Sequence, residues 1–164
     1  MTDKITIQEA NIADITLLSS IIRNSYQDVA ERFGLTLENC PKHPSNCKDE
    51  WIQNDFERGV SYYKLVYNGT AIGCVALEQV DHELCYLERL AILPGYRRKG
   101  LGRALVDHVF MRARALNAKK ISIGIISKQT ELKKWYHKIG FAKGDTKEFP
   151  HLPFLVTFMM FDLY

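Results

Sequence analysis

Apolar and polar residues alternate from Lys4 to Gln8 and predict a strand. Asn11 is placed to cap a helix whose Ile15, Leu18 and Ile22 share one face, with Asp14 at the third position completing a capping box. A second helix is expected near Asp49 to Arg58. Ser61–Tyr67 and Ala71–Glu78 flank Asn68-Gly69 and read as a hairpin with a type I′ turn. Leu84 to Leu93 follows as a strand. Leu84, Tyr86, Leu90 and Ile92 fall on one of its faces, and Cys85, Leu87, Ala91 and Leu93 on the other. Both faces are apolar, so this strand belongs in the middle of a sheet.

Pro94-Gly95 ends that strand. Leu101, Leu105, Val109, Ala113 and Leu116 then recur at helical spacing and predict a helix packed on the sheet. Lys120 to Ile126 reads as a strand. Leu132, Trp135, Tyr136 and Ile139 mark a short helix stopped by Gly140. Two strands, near Phe141–Phe149 and Phe154–Leu163, close the chain. The order β-α-α-β-β-β-α-β-α-β-β mixes a crossover unit with hairpins and predicts an α/β fold with a mixed sheet.

No repeat or linker divides the 164 residues, so one domain over 1–164 is expected, with an irregular loop at Glu38 to Cys47. A chain of this size buries roughly 70% of its unfolded surface and needs no metal or disulfide to hold a core. The net charge of +3 is too small to attract nucleic acid or an anionic membrane by itself. Four cysteines and a polar start, MTDKITIQEA, point to an intracellular, reduced and cytoplasmic protein. The apolar run Phe154 to Phe161 falls far short of the ~20 residues of a membrane helix.

Gly95-Tyr-Arg-Arg-Lys-Gly-Leu-Gly102 carries the clearest chemistry. It sets glycines and the cations Arg97, Arg98 and Lys99 at a helix start, where unpaired N–H groups and the helix dipole favour phosphate. A nucleoside triphosphate loop would need Lys and Ser/Thr where Leu101 and Gly102 stand. A dinucleotide fingerprint would need a third glycine where Leu105 stands, and an acid that Ala118 to Gly124 lacks.

The segment Tyr86-Leu-Glu-Arg-Leu-Ala-Ile-Leu-Pro-Gly-Tyr-Arg-Arg-Lys-Gly-Leu-Gly-Arg-Ala-Leu105 resembles the acetyl-CoA motif of the GNAT superfamily of N-acetyltransferases. The motif's core, Arg/Gln-x-x-Gly-x-Gly/Ala, corresponds to Arg97, Gly100 and Gly102. Trp135-Tyr-His-Lys-Ile-Gly-Phe141 resembles the family's Tyr-x-x-x-Gly-Phe element. The resemblance implies a GNAT-like, mostly antiparallel sheet flanked by helices and splayed at the cofactor strand. It implies that residues 84–116 bind acetyl-CoA. Backbone groups of Leu90, Ala91 and Ile92 would hold the pantetheine arm, and Arg97, Arg98, Lys99, Gly100, Leu101, Gly102 and Arg103 would wrap the pyrophosphate. Seven residues before Tyr136, where the family commonly has an Asn pantetheine ligand, stands Gln129, which donates and accepts in the same way.

Two side chains are candidates for proton transfer. Glu88, on the face assigned to Leu84, Tyr86, Leu90 and Ile92, would have its pKa raised by desolvation towards that of a general base. The alternative is a pair with Arg89 or a lysine of a neighbouring strand. Tyr136 shares an inward face with Leu132, Trp135 and Ile139, which alone reads as core; the resemblance implies a general acid for the CoA sulfur.

Cys40-x-x-His43-x-x-x-Cys47 supplies three potential ligands without a fourth, so no metal is expected. His43, Trp51 and Tyr62-Tyr63 either line an acceptor cleft or pack the insert. No cysteine or serine sits in a nucleophile–base motif, which favours direct attack in a ternary complex over an acyl-enzyme. The expected activity is transfer of acetyl from acetyl-CoA to a primary amine, the alternative being a non-catalytic acyl-CoA sensor. The acceptor, a small molecule or a peptide, would be met by segment 30–63, whose acidic excess favours a cation. The resemblance also allows a homodimer.

Overall fold

The computed structural model describes residues 2–164. In chain order its elements are β1 (Ile5–Glu9), α1 (Ile15–Ser25), α2 (Gln27–Phe33), α3 (Asp49–Glu57), β2 (Ser61–Tyr67), β3 (Thr70–Gln79) and β4 (Leu84–Ile92). Then follow α4 (Leu101–Ala115), β5 (Lys120–Ile126), α5 (Thr130–Ile139), β6 (Ala142–Lys147) and β7 (Val156–Asp162). The strands form one sheet in the order β1-β2-β3-β4-β5-β7-β6, antiparallel except between β4 and β5. β4 is therefore the middle strand, as its two apolar faces require.

Local signals explain much of this. The Asn11 side chain accepts from the Ala13 N–H, and Asp14 accepts from the Asn11 N–H, closing the expected capping box on a short 3-10 turn that leads into α1. Asn68 and Gly69 both take positive φ, 49° and 87°, as a type I′ hairpin turn demands. α2 was not expected; Ala30 is its only buried residue, so it has no apolar stripe to read.

Two apolar clusters cover the sheet. α1 and α3 lay Leu18, Ile21, Ile22 and Ile52 on Tyr62, Cys74, Ala76 and Ala91. On the other face, α4 lays Leu105, Val106, Val109 and Ala113 on Val75, Leu77, Cys85 and Leu87. Each fully buried Leu or Val contributes roughly 1.5–3 kcal/mol, so α4 and its N-terminal loop are fixed firmly on the sheet. Leu116 does not join this face: the helix ends at Ala115 and Leu116 caps it, exposed.

Two irregularities of β4 shape the molecule. It pairs with β5 only over Leu84–Tyr86, opposite Lys120–Ser122, and beyond Tyr86 the two strands part. This is the expected splay. The second irregularity is a bulge. Ala76 faces Glu88 and Cys74 faces Ala91, so Val75 alone opposes both Arg89 and Leu90, and Arg89 takes φ +52°. The bulge overturns the simple alternation expected for this strand. Glu88 shares its face with Ala91, whereas Leu90 and Ile92 pack into the α4-side cluster.

Candidate active site

A cleft of about 390 Å³ opens where β4 leaves β5. Its walls are the junction of α1 and α2 (Ser25, Tyr26, Asp28), the end of β4 (Leu90, Ala91, Ile92), the loop into α4 and the start of α5 (Gln129, Leu132, Trp135). The loop contributes Arg97, Arg98, Gly100, Leu101, Gly102 and Arg103. Lys99 is not among the lining residues; its Nζ stands 6.0 Å over the Tyr67 ring. Most of the expected cofactor residues therefore meet around one space.

The first hydrogen bond of α4 runs from the Ala104 N–H to the Gly100 carbonyl at 3.1 Å, and no side chain caps the helix. The N–H groups of its first turn, Leu101, Gly102 and Arg103, are left to the cleft with the positive end of the helix dipole behind them. Gly100 holds φ +77°, a left-handed conformation that glycine adopts without strain. Arg97 is committed to the protein. Its Nε donates to the Ile92 carbonyl at 3.1 Å, and its Nη atoms donate to the Ser25 carbonyl at 2.5 Å and to Asp28 at 2.5 Å. It ties the loop to β4 and to the α1–α2 junction while lining the cleft. Arg103 pairs with Asp107 one turn along at 2.9 Å.

Glu88 and Tyr136 stand just outside the cleft lining, each next to a lining element. Glu88 is half-buried beside Glu78 of β3. Burial, then the hydrogen bond and charge of Glu78, push its carboxyl up to about 7, against the opposing pull of Arg89. Arg89 is not its ion-pair partner: it reaches Asp55 at 2.7 Å and the Tyr62 hydroxyl at 2.8 Å. Glu78 in turn meets Arg58 at 2.5 Å. Tyr136 is buried edge-on against Trp135 and Phe141, with ring centroids 4.9 and 5.2 Å away. Burial, helped by the nearby Tyr26, raises its phenol far above the ordinary value, so it stays protonated.

Two contributors carried no readable signal. The Tyr26 hydroxyl crosses from the α1–α2 junction to donate to the Leu90 carbonyl at 2.8 Å, pinning the bulged end of β4. Gly73 lies under that end: a Cβ there would sit 2.6 Å from Ile92 Cδ1 and 2.9 Å from the Ala91 carbonyl oxygen. Only a missing side chain lets β3 and β4 approach so closely.

The insert is packed rather than open. His43 Nδ1 is 2.8 Å from Ser45 Oγ, its ring lies edge-on to Tyr26, and burial pushes its pKa down to about 4. Cys40 and Cys47 are buried free thiols. Among the described residues no group of three His, Cys, Asp or Glu is placed to hold a metal ion. Tyr62 and Tyr63 point to opposite faces. Tyr62 meets Asp55, whereas Tyr63 packs on His108 and Arg112 of α4, away from the insert. No helix among the described residues is long and apolar enough to cross a membrane.

Residues 26–141 match the Acetyltransferase (GNAT) family, and the chain belongs to that family of acyltransferases. Its fold is shared with solved structures of low identity. The PaiA N-acetyltransferase from Thermoplasma acidophilum, in complex with coenzyme A, superposes with a TM-score of 0.80 at 18% identity, covering 97% of this chain and 99% of that one. The putative acetyltransferase YncA from Salmonella typhimurium, with its cofactor acetyl-CoA, gives 0.71 at 20% identity, covering 98% and 94%. The ribosomal-protein-S18-alanine N-acetyltransferase from Escherichia coli gives 0.78 at 15% identity, covering 98% and 94%. A curated relative, the UPF0157 protein YqkA of Bacillus subtilis (strain 168), is 35% identical over 95 residues, 58% of this chain. The match spans 26% of that relative's length.

Proposed function

We propose that this protein transfers an acetyl group from acetyl-CoA to a primary amine by direct attack in a ternary complex. The observation that carries the reading is one cleft that joins two stretches of backbone not paired within a helix or to a neighbouring strand on that side. The uncapped first turn of α4 offers N–H groups suited to a pyrophosphate, and the free edge of β4 beyond Tyr86 offers strand hydrogen bonds suited to an amide-bearing arm. Coenzyme A carries both a pyrophosphate and such an arm, and two of the similar structures hold coenzyme A or acetyl-CoA. The donor supplies an activated thioester carbon.

The residues divide the work. Gly100, Leu101, Gly102 and Arg103 hold the pyrophosphate, with Arg98 and Lys99 as neighbouring countercharge and Arg97 keeping the loop in place. Leu90, Ala91, Ile92 and Gln129 hold the arm. Glu88, with its carboxyl near neutrality, takes the proton that the amine loses, and Tyr136 gives its hydroxyl proton to the leaving sulfur. The segment 30–63 forms the acceptor side, for a small-molecule or peptide amine.

Initial rates of CoA thiol release, with donor and amine varied in turn, test the order of events. Intersecting double-reciprocal lines are expected. Parallel lines would mean an acyl-enzyme and end the direct-attack reading.

A further inference from the structure

Among the described residues four non-glycine positions have positive φ: Asn68, Arg89, Arg98 and Asn117. Asparagine tolerates this conformation and arginine has no local means to do so. Arg98 is in the cofactor loop. Arg89 is the bulge residue of β4, and its conformation must be held from outside the strand.

The surrounding contacts supply that hold. Asp55, near the end of α3, is buried and fully engaged. One carboxylate oxygen accepts from Arg89 at 2.7 Å and from the Tyr62 hydroxyl at 2.5 Å; the other accepts from Arg58 at 2.7 Å. The Tyr62 hydroxyl also accepts from Arg89 at 2.8 Å, so the guanidinium is fixed by two partners from two elements. Trp51, also on α3, lies 5.8 Å from the same guanidinium.

We infer that Asp55 is a positioning residue: through Arg89 it locks the β4 bulge and thereby sets the directions of Glu88 and of the Leu90–Ile92 backbone. The catalytic half of this inference rests on the transferase reading above. The lock reaches β4 from the α3 side of the sheet, whereas helix α4 packs Leu101, Leu105 and Val106 on the other face, so the two are separable. Without the bulge the strand would alternate regularly, and Glu88 would no longer share a face with Ala91. The same carboxylate also acts on Glu88 through space. The charged groups around Glu88 are Glu78 of β3, Asp55 of α3 and Arg89 beside it, with Arg58 bonded to both acids; Asp55 raises the Glu88 pKa and Arg89 lowers it.

The test is Asp55→Asn, with Tyr62→Phe as a milder variant should the first fold poorly. Hydrogen exchange decides the lock without any need for activity: residues 87–92 are expected to exchange faster, with the α4 segment unchanged. Kinetics decide the catalytic half. On the order of a 10-fold fall in kcat is expected, together with weaker acetyl-CoA binding as the Leu90–Ile92 backbone loosens and a shift of the acidic limb of kcat/KM to lower pH. The double variant Asp55→Asn, Arg89→Gly is expected to regain much of the loss, because glycine holds a positive φ unaided and leaves no orphaned cation. Unchanged exchange in 87–92 would overturn the lock. Unchanged kcat and pH profile in an active enzyme, or a double variant worse than the single, would overturn the positioning role. A wild-type protein that turns over no amine would remove the transferase reading itself, and exchange alone would then decide the lock.

Discussion

Replacing Glu88 with Gln isolates the most unusual ionisation in the protein. An unfolded glutamate titrates near 4.5, whereas folding pushes Glu88 up to about 7 because it is taken from water and set beside Glu78. Below about pH 4.5 the carboxyl is protonated in both states and costs nothing. Between the two values the folded state keeps a proton that the unfolded state has released, so stability falls as pH rises. Above about 7 the loss is complete. The full shift corresponds to an upper limit on the order of 3 kcal/mol, and the partial solvent access of the side chain reduces this to roughly 1–2 kcal/mol. Glutamine mimics the protonated acid in shape and can still donate to Glu78. Urea unfolding of both proteins should therefore give similar stabilities near pH 4.5 and a Glu88→Gln variant more stable by about 1–2 kcal/mol near pH 8. For a chain of this size that is roughly 2–8 °C in Tm. A difference that does not change with pH, or a variant less stable at alkaline pH, would refute the burial argument and with it the basis for a general base at this position.

Other consequences follow from the same contacts. Tyr136→Phe should lower kcat by about 10²-fold while calorimetry finds acetyl-CoA affinity unchanged, because only the proton donor is lost. Gly73→Ala would push a methyl into Ile92 and the Ala91 carbonyl; thermal unfolding should show about 1–3 kcal/mol of destabilisation, with weaker acetyl-CoA binding as the end of β4 shifts. Gly100→Ala has open space for its methyl but a backbone at φ +77°, so it should cost about 1 kcal/mol in urea unfolding and weaken binding through the displaced N–H groups.

Where fold and site follow from local rules, they were legible in the sequence. The Asn11–Asp14 capping box, the Asn68-Gly69 turn and β5 at Lys120–Ile126 all depend on residues a few positions apart. The Arg97–Gly102 loop was legible for the same reason, since a helix start rich in glycine and cations is a local pattern. The rest depends on long-range contacts. Arginine at position 89 gives no hint of a left-handed backbone; the Asp55 carboxylate that accepts from it comes from another element. The face of Glu88 was correctly placed relative to Leu84 and Tyr86 but not to Leu90 and Ile92, because the bulge lies between them. Its close neighbour is Glu78 on the paired strand, not Arg89 beside it. Tyr26, Gly73 and the binding of Arg97 to Ser25 and Ile92 are likewise pairings across the fold, and α2 lacks the apolar stripe that marks a helix. The splay was expected only through the family resemblance, since nothing in the periodicity of β4 tells where β5 leaves it.

The central claim is that the cleft between β4 and β5 binds acetyl-CoA, and calorimetric titration of acetyl-CoA into the purified protein tests it most directly. Micromolar affinity, lost or sharply weakened in Gly100→Ala, is the predicted result. No heat of binding at millimolar acetyl-CoA would contradict the account.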